Sequence, residues 1–81
     1  MVKFVALYRK PDDVAAFESW YLERHLPICQ GYPEVEAMEV GRVTGSPRGD
    51  SEFHWIFTVT YRDQETMMKS LMSEAGMASA M

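Results

Sequence analysis

Two histidines are the side chains of this 81-residue chain best suited to proton transfer near neutral pH. His25 follows Phe17 and Tyr21 at four-residue spacing, so in a helix the three side chains share one face. A histidine in line with such an aromatic stripe indicates either a general acid or base in a cleft, or a helix-terminal residue that caps carbonyl groups and fills space. Burial would favour the neutral imidazole and the negative helix end the charged one, so the sequence leaves the direction of the pKa shift open.

His54 and Tyr32 are the other candidates for chemistry. His54 opens the clearest strand pattern of the chain, and Tyr32 lies in the turn-rich link after the first helical pattern. The simpler interpretation of His54 is a surface residue beside a turn. In the functional interpretation His25 takes a proton next to a carbonyl, and His54 or Tyr32 stabilises the enolate oxygen by hydrogen bonding. We therefore predict His25, His54 and Tyr32 as catalytic residues and expect the two histidines to share one cleft, although counting along the elements places them at opposite ends of the sheet.

Large aromatic side chains accompany both histidines. We predict that they form the wall of a substrate pocket or the core rather than take part in chemistry; they are Phe17, Trp20, Tyr21 and Trp55.

A metal site is the alternative use of the histidines. His25, Cys29 and His54 have suitable ligand types, but His-x3-Cys with one distant histidine lacks the four clear ligands that structural zinc usually takes. The sequence has no Gly-rich phosphate loop, nucleophile elbow or paired catalytic carboxylate motif. We therefore expect no metal.

Composition restricts the class of protein. The chain is long enough for one domain, residues 1–81, and its 47% apolar residues exclude a disordered chain. The formal net charge of -4, with no basic run, argues against nucleic acid and anionic membrane as partners. No apolar run approaches the roughly 20 residues needed to span a bilayer. The single cysteine cannot form an intrachain disulfide, which favours a cytoplasmic setting.

The helix that carries His25 is predicted over residues 12–26. Asp12 or Asp13 can accept hydrogen bonds from the free N–H groups of its first turn, which places the start. Pro27 is predicted to end the helix because its ring disfavours helical geometry at the preceding residue. Glu18 is predicted on the face that reaches water.

Three strands are predicted around this helix, over residues 2–9, 34–44 and 53–61. The second changes phase near Ala37, which indicates a bulge or strong bend there. The polar loop of residues 45–50 contains three turn formers, so it most simply joins two antiparallel strands as a hairpin.

The third strand and the segment after it complete the pattern. In the third strand the odd-numbered residues form a large apolar face and the even-numbered ones, including His54, form the opposite face. A second helix is predicted from an N-cap at Asp63 to Gly76 as the residue after its end. Its apolar stripe is predicted to fill the core with Met67, Met68, Leu71, Met72 and Ala75.

The order strand, helix, strand, strand, helix predicts an α+β fold, a ferredoxin-like plait in which a final strand is missing. That strand would pair with the first, so its absence leaves the first strand as an open edge. Either the sequence stops before the natural end, or a partner chain takes that place. A small core with a second sheet face to bury also predicts a homodimer formed sheet against sheet.

Several of these features together resemble the EthD family, named for ethyl tert-butyl ether degradation, within the dimeric α+β barrel superfamily. The residues that carry the resemblance are Tyr8, Phe17, Tyr21, His25-Leu-Pro27, Gly31, Phe53-His54-Trp55-Ile56 and Ser73-Glu-Ala-Gly76. The resemblance implies a subunit whose sheet packs against that of a second copy, with a small-molecule cleft between sheet and helices. It also implies isomerase, cyclase or monooxygenase-like activity without a metal or organic cofactor.

We therefore expect a cofactor-independent enzyme that acts by acid–base chemistry on a small hydrophobic carbonyl, lactone or aromatic metabolite of a catabolic or secondary-metabolite pathway. The alternative is a non-catalytic protein that binds a hydrophobic ligand in the same pocket.

Overall fold

The structure, a computed structural model, describes residues 1–80. Its strands form one antiparallel sheet in the order β1-β3-β2. The strands are β1 (Val2–Arg9), β2 (Ala37–Arg42) and β3 (Phe53–Tyr61). The helices are α1 (Val14–Trp20), α2 (Leu26–Cys29), α3 (Gln64–Leu71) and α4 (Glu74–Ser79), and a π-helical segment, Tyr21–His25, joins α1 to α2. This arrangement confirms the predicted α+β class and is consistent with a ferredoxin-like plait.

The central position of β3 explains its composition, because a strand with a neighbour on both edges and helices on one face is the most buried of the three. Trp55, Phe57, Val59 and Tyr61 are buried at alternate positions along it. The bounds of β1 and β3 and the hairpin between β2 and β3 are as predicted.

The sheet has two different faces. On β1 the side chains of Phe4, Ala6 and Tyr8 pack against the core, whereas Val5 and Leu7 point to the other face. Val5 and Leu7 are each 48% exposed. The face away from the helices is thus apolar in part and uncovered.

The only register shift between β1 and β3 lies at His54. Tyr8 pairs with Trp55 but Arg9 pairs with Phe53, so His54 has no partner on β1. Such a bulge re-aims a side chain. His54 and Trp55 accordingly both meet the ring of Phe17 on helix α1, at centroid distances of 6.1 and 6.0 Å. The predicted strict alternation, which placed His54 on the face opposite Trp55, is therefore wrong at this residue.

The bulge predicted near Ala37 is also wrong, since β2 pairs with β3 without a shift. The sequence changes phase there because the strand begins at Ala37, three residues later than predicted. Glu34, just before it, has a positive φ of 59°, which belongs to a turn and not to a strand.

The first helical segment continues past Pro27 to Cys29, so the predicted stop is wrong. Asp13 is the N-cap, and its carboxylate accepts from the Ala16 N–H at 3.0 Å. Within the π-helical segment the Leu26 N–H bonds to the Tyr21 carbonyl, five residues back. This wider turn lies immediately before Pro27 and accommodates a ring that would collide with the carbonyl four residues back in an α-helix.

The second predicted helix is two helices. Asp63 caps α3 as predicted, accepting from the Thr66 N–H at 2.8 Å. The chain then breaks at Met72, and Ser73 caps α4, so Gly76 lies inside α4 and not after the end of a helix. The methionine stripe fills the core only in part, because Met72 is 71% exposed.

Within residues 1–80, no helix is long and apolar enough to cross a membrane.

Gly76 is the position where the α3–α4 corner is tightest. A Cβ there would overlap the Leu71 carbonyl group, and it would lie 2.6 Å from the Ser70 carbonyl oxygen. We predict that Gly76→Ala lowers the free energy of unfolding by about 1–3 kcal/mol through overpacking, although alanine is the better helix former. Urea unfolding followed by circular dichroism measures this.

Gly41→Ala is the matched control, because its nearest contact would be an ordinary 3.9 Å to Ile56. We expect it to change stability by less than about 0.5 kcal/mol. Equal stability of the Gly76→Ala variant and the wild type would contradict the close approach at the corner.

Candidate functional site

A cavity of about 240 Å³ lies between β1 and the helices. Its wall is formed by Phe4, Ala6, Tyr8, His25, Tyr32, Phe57, Leu71, Gly76, Ser79 and Ala80. The wall contains no lysine, arginine, aspartate or glutamate. It combines an apolar surface with one imidazole and three hydroxyl groups, which is the usual make-up of a site for a small organic molecule.

The π-helical segment positions His25 on this wall. Hydrogen bonding over five residues brings Trp20 and His25 together, and their rings stack at 5.1 Å with an interplanar angle of 24°. The ring of Tyr21 supports the imidazole from a second direction, also at 5.1 Å. Burial lowers the pKa of His25 below its ordinary 6.5. Because the helical segment continues to Cys29, His25 does not lie at a negative helix end, and burial alone sets the direction of the shift, which favours the neutral imidazole.

Tyr32 reaches the same cavity from the link after α2. It is buried, its hydroxyl forms a hydrogen bond with the Ser79 hydroxyl of α4, and burial raises its pKa to about 12. The structure therefore brings together two of the three residues predicted to be catalytic, His25 and Tyr32.

His54 is not part of this wall. Its Nε2 lies 2.8 Å from Glu18 Oε2, and Arg42 from β2 donates to both oxygens of the same carboxylate at 2.6 and 3.1 Å. Only 17% of the Glu18 side chain and 9% of the His54 side chain are exposed. Glu18 was predicted on the face that reaches water; a small part of its side chain is exposed there, while Arg42 and His54 bind its carboxylate to form the charge cluster of Glu18, Arg42 and His54.

The predicted shared cleft for His25 and His54 is therefore wrong. The bulge in β3 turns His54 toward α1 near its middle, whereas His25 lies beyond the end of α1. Hydrogen bonds from Arg42 and then His54 lower the pKa of Glu18, so this carboxylate is ionised at neutral pH.

The aromatic residues predicted for the pocket wall lie beside the cavity and do not line it. Phe17, Tyr21 and Trp55 pack against one another between α1 and β3 with centroid distances of 5.5–6.0 Å. Trp20 lies outside them and is 44% exposed. These large side chains occupy the space between α1 and β3, and the cavity lies beside β1 and α4.

Three sets of residues were missed by sequence reasoning. Tyr8 of the wall could have been found from the period-two spacing of Phe4, Ala6 and Tyr8 in β1. The wall residues of α4 gave no signal, because a run of small residues at the chain end has no periodicity. The pair of Glu18 and Arg42 likewise gave none, since 24 positions separate them.

Within residues 1–80, no three histidine, cysteine or acidic side chains are grouped so that they could hold a metal ion. Of the three ligands considered from the sequence, His25 faces the cavity, Cys29 is fully buried and His54 is bound to Glu18.

Comparison with known proteins agrees with this fold. The family model described as REDY-like protein HapK matches residues 2–81. The crystal structure of an ethyl tert-butyl ether (EthD) family protein from Bacillus halodurans C-125 has a TM-score of 0.90 and 35% sequence identity, covering 96% of this chain and 78% of that one. HapK from Hahella chejuensis shares the fold, with a TM-score of 0.64 and 16% identity over 94% of this chain and 70% of that one. No curated protein matches the chain.

The charge cluster joins α1, β2 and β3, so we predict that Glu18→Gln lowers the melting temperature at pH 7. The pKa of Glu18 lies below its ordinary 4.5 in the folded state. Its stabilising contribution is therefore complete above about pH 4.5 and is lost as the pH falls through the folded-state pKa. Melting curves of wild type and variant should converge in acid.

Glu23→Gln is the control on the same helical segment, because exposed Glu23 accepts only a hydrogen bond from Ser19. We expect this variant to melt like the wild type at pH 7. A difference between Glu18→Gln and the wild type that stays constant down to pH 3 would show that the carboxylate charge is not its cause.

Proposed function

The chain belongs to the family described as REDY-like protein HapK and is EthD-like, and we propose that it acts on a small, uncharged, largely apolar metabolite held in the cavity between β1 and the helices. His25 is the acid–base group of this proposed activity. The observation that carries the proposal is a neutral imidazole on a wall that has no charged side chain. A base with a pKa near or below the working pH is available to take a proton without competing protonation.

The proposed step is proton abstraction next to a carbonyl. His25 takes a proton from the α-carbon, the C–H electron pair forms the carbon–carbon double bond of an enolate, and the charge develops on the carbonyl oxygen. Return of the proton to the same or another carbon gives exchange or isomerisation. The mainly apolar wall supports this step, because low polarity strengthens any hydrogen bond to the developing oxyanion.

A non-catalytic binder of the same class of ligand is the second candidate. The observation that favours it is the position of His54, which leaves His25 without a second imidazole at the cavity. In this case the apolar wall binds the metabolite and no bond is made or broken.

We also propose that the protein is a homodimer formed through the sheet face that the helices leave uncovered. Val5 and Leu7 are each 48% exposed on this face, next to Ile56 on the neighbouring strand. Apolar side chains that adjoin one another on an uncovered face favour association, and a domain of this size gains stability from it.

The acid–base proposal predicts that the protein accelerates deuterium exchange at the α-carbons of β-tetralone, a neutral two-ring ketone, in D₂O. Proton NMR measures the exchange. His25→Asn should lower the rate by about 10²- to 10⁴-fold, the usual effect of losing a general base. The rate should rise with pH as His25 loses its proton, with a midpoint below 6.5.

His54→Asn is the control, because His54 lies away from the cavity, and it should keep most of the exchange activity. A ligand-induced melting shift without exchange would favour the binder. If millimolar ketone causes no melting shift and undergoes no exchange, the proposal that the cavity is the functional site is wrong.

The dimer proposal predicts that Leu7→Glu converts a dimer into a monomer, because a buried carboxylate without a partner is costly at an interface. Size-exclusion chromatography with light scattering at micromolar protein gives the mass. Leu22→Glu is the matched control, since Leu22 is 47% exposed on the helical side, and it should leave the dimer intact. A monomeric wild type would contradict the proposal.

A further inference from the structure

The hydroxyl groups on the cavity wall differ in what they can offer a ligand. The Ser79 hydroxyl donates its proton to the Gly76 carbonyl oxygen at 2.9 Å. A serine hydroxyl has one proton to donate, so in its hydrogen bond with Tyr32 the serine must accept and the tyrosine must donate. Tyr32 therefore presents only lone pairs to the cavity. It cannot donate to an enolate oxygen, which is the role that the sequence suggested for it.

Tyr8 is the remaining phenol of the wall. Its hydroxyl donates no hydrogen bond within residues 1–80, and the Tyr21 hydroxyl acts on it as a donor. In that part of the chain the fully buried side-chain polar atoms without a partner at hydrogen-bond distance are the Tyr21 hydroxyl and the Trp55 indole nitrogen. The proton of the Tyr8 hydroxyl is thus free without being sealed inside the protein, so it can be donated to a molecule in the cavity.

Tyr21 lies directly behind Tyr8. The two rings meet edge to face at a centroid distance of 5.4 Å, and Tyr21 is 0% exposed. Burying its hydroxyl without a partner at hydrogen-bond distance is unfavourable. Burial raises the pKa of Tyr8, and the neighbouring Tyr21 hydroxyl partly opposes this effect. Tyr21 does not line the cavity, so Tyr8 is the phenol of this pair that a ligand can reach.

We propose that Tyr8 is the ligand-binding residue that donates a hydrogen bond to a carbonyl oxygen, and that the ligand is a neutral ketone, aldehyde or lactone on a one- or two-ring apolar body. This inference rests on the proposed function and deepens it. The cavity of about 240 Å³ suits such a size, since a cavity of about 150 Å³ holds benzene. A carboxylate ligand would be unpaired here, because no cationic side chain lines the wall.

Two probes of nearly equal shape test this assignment. Acetophenone carries a carbonyl oxygen where α-methylstyrene carries a methylene group. We expect the ratio of the affinity for acetophenone to that for α-methylstyrene to be roughly 2- to 10-fold higher in the wild type than in Tyr8→Phe, the range for one neutral hydrogen bond. The carbonyl stretch of bound acetophenone should lie at lower wavenumber than in hexane. Tyr8→Phe should therefore lower this preference for acetophenone and remove the infrared shift.

Tyr32→Phe is the control variant. It removes a hydroxyl from the same wall but not a donor to the ligand, so the preference and the infrared shift should remain. If the infrared shift persists in Tyr8→Phe or is lost in Tyr32→Phe, the assignment of Tyr8 is wrong. The proposal that the cavity binds the ligand would not be affected by that result. Failure of the wild type to bind either probe at millimolar concentration would overturn the proposed function itself.

Discussion

The packing of one helical segment on the central strand organises this protein, and Tyr21 is its centre. This fully buried ring meets Tyr8 on β1, Trp55 and Phe57 on β3, and His25 on its own segment, at centroid distances between 5.1 and 6.4 Å. Burying a tyrosine ring contributes a large apolar area, and edge-to-face contacts add to it. The same contacts fix the helix, the sheet and the candidate acid–base residue relative to one another.

The π-helical segment positions His25 at the cavity. If the helix were α-helical throughout, Pro27 would collide with the carbonyl four residues before it. The wider turn removes this collision and also stacks His25 on Trp20. A local irregularity demanded by a proline therefore sets the direction of the imidazole, in keeping with the frequent occurrence of such turns at functional sites.

A second irregularity, the bulge at His54, places the charged side chains away from the cavity. It turns His54 toward α1, where Glu18 and Arg42 complete a charge cluster that ties three elements together. The cavity is left with an uncharged wall. The two tyrosine hydroxyl groups on this wall differ in whether they can donate to a ligand. Tyr32 donates its proton to Ser79, whereas the proton of Tyr8 is free.

The sequence by itself determined the α+β class, the bounds of β1 and β3, the N-cap Asp63, the start of the first helix at Asp12 or Asp13, and the resemblance to EthD proteins. These follow from short-range patterns, since alternation, capping and turn residues act over a few positions. Only the tertiary structure decided that the helix passes through Pro27 and that His54 is turned toward Glu18. It also placed the cavity beside Tyr8 and α4. Each of these depends on contacts between residues far apart in the chain, such as the 24 positions between Glu18 and Arg42, which no local pattern encodes.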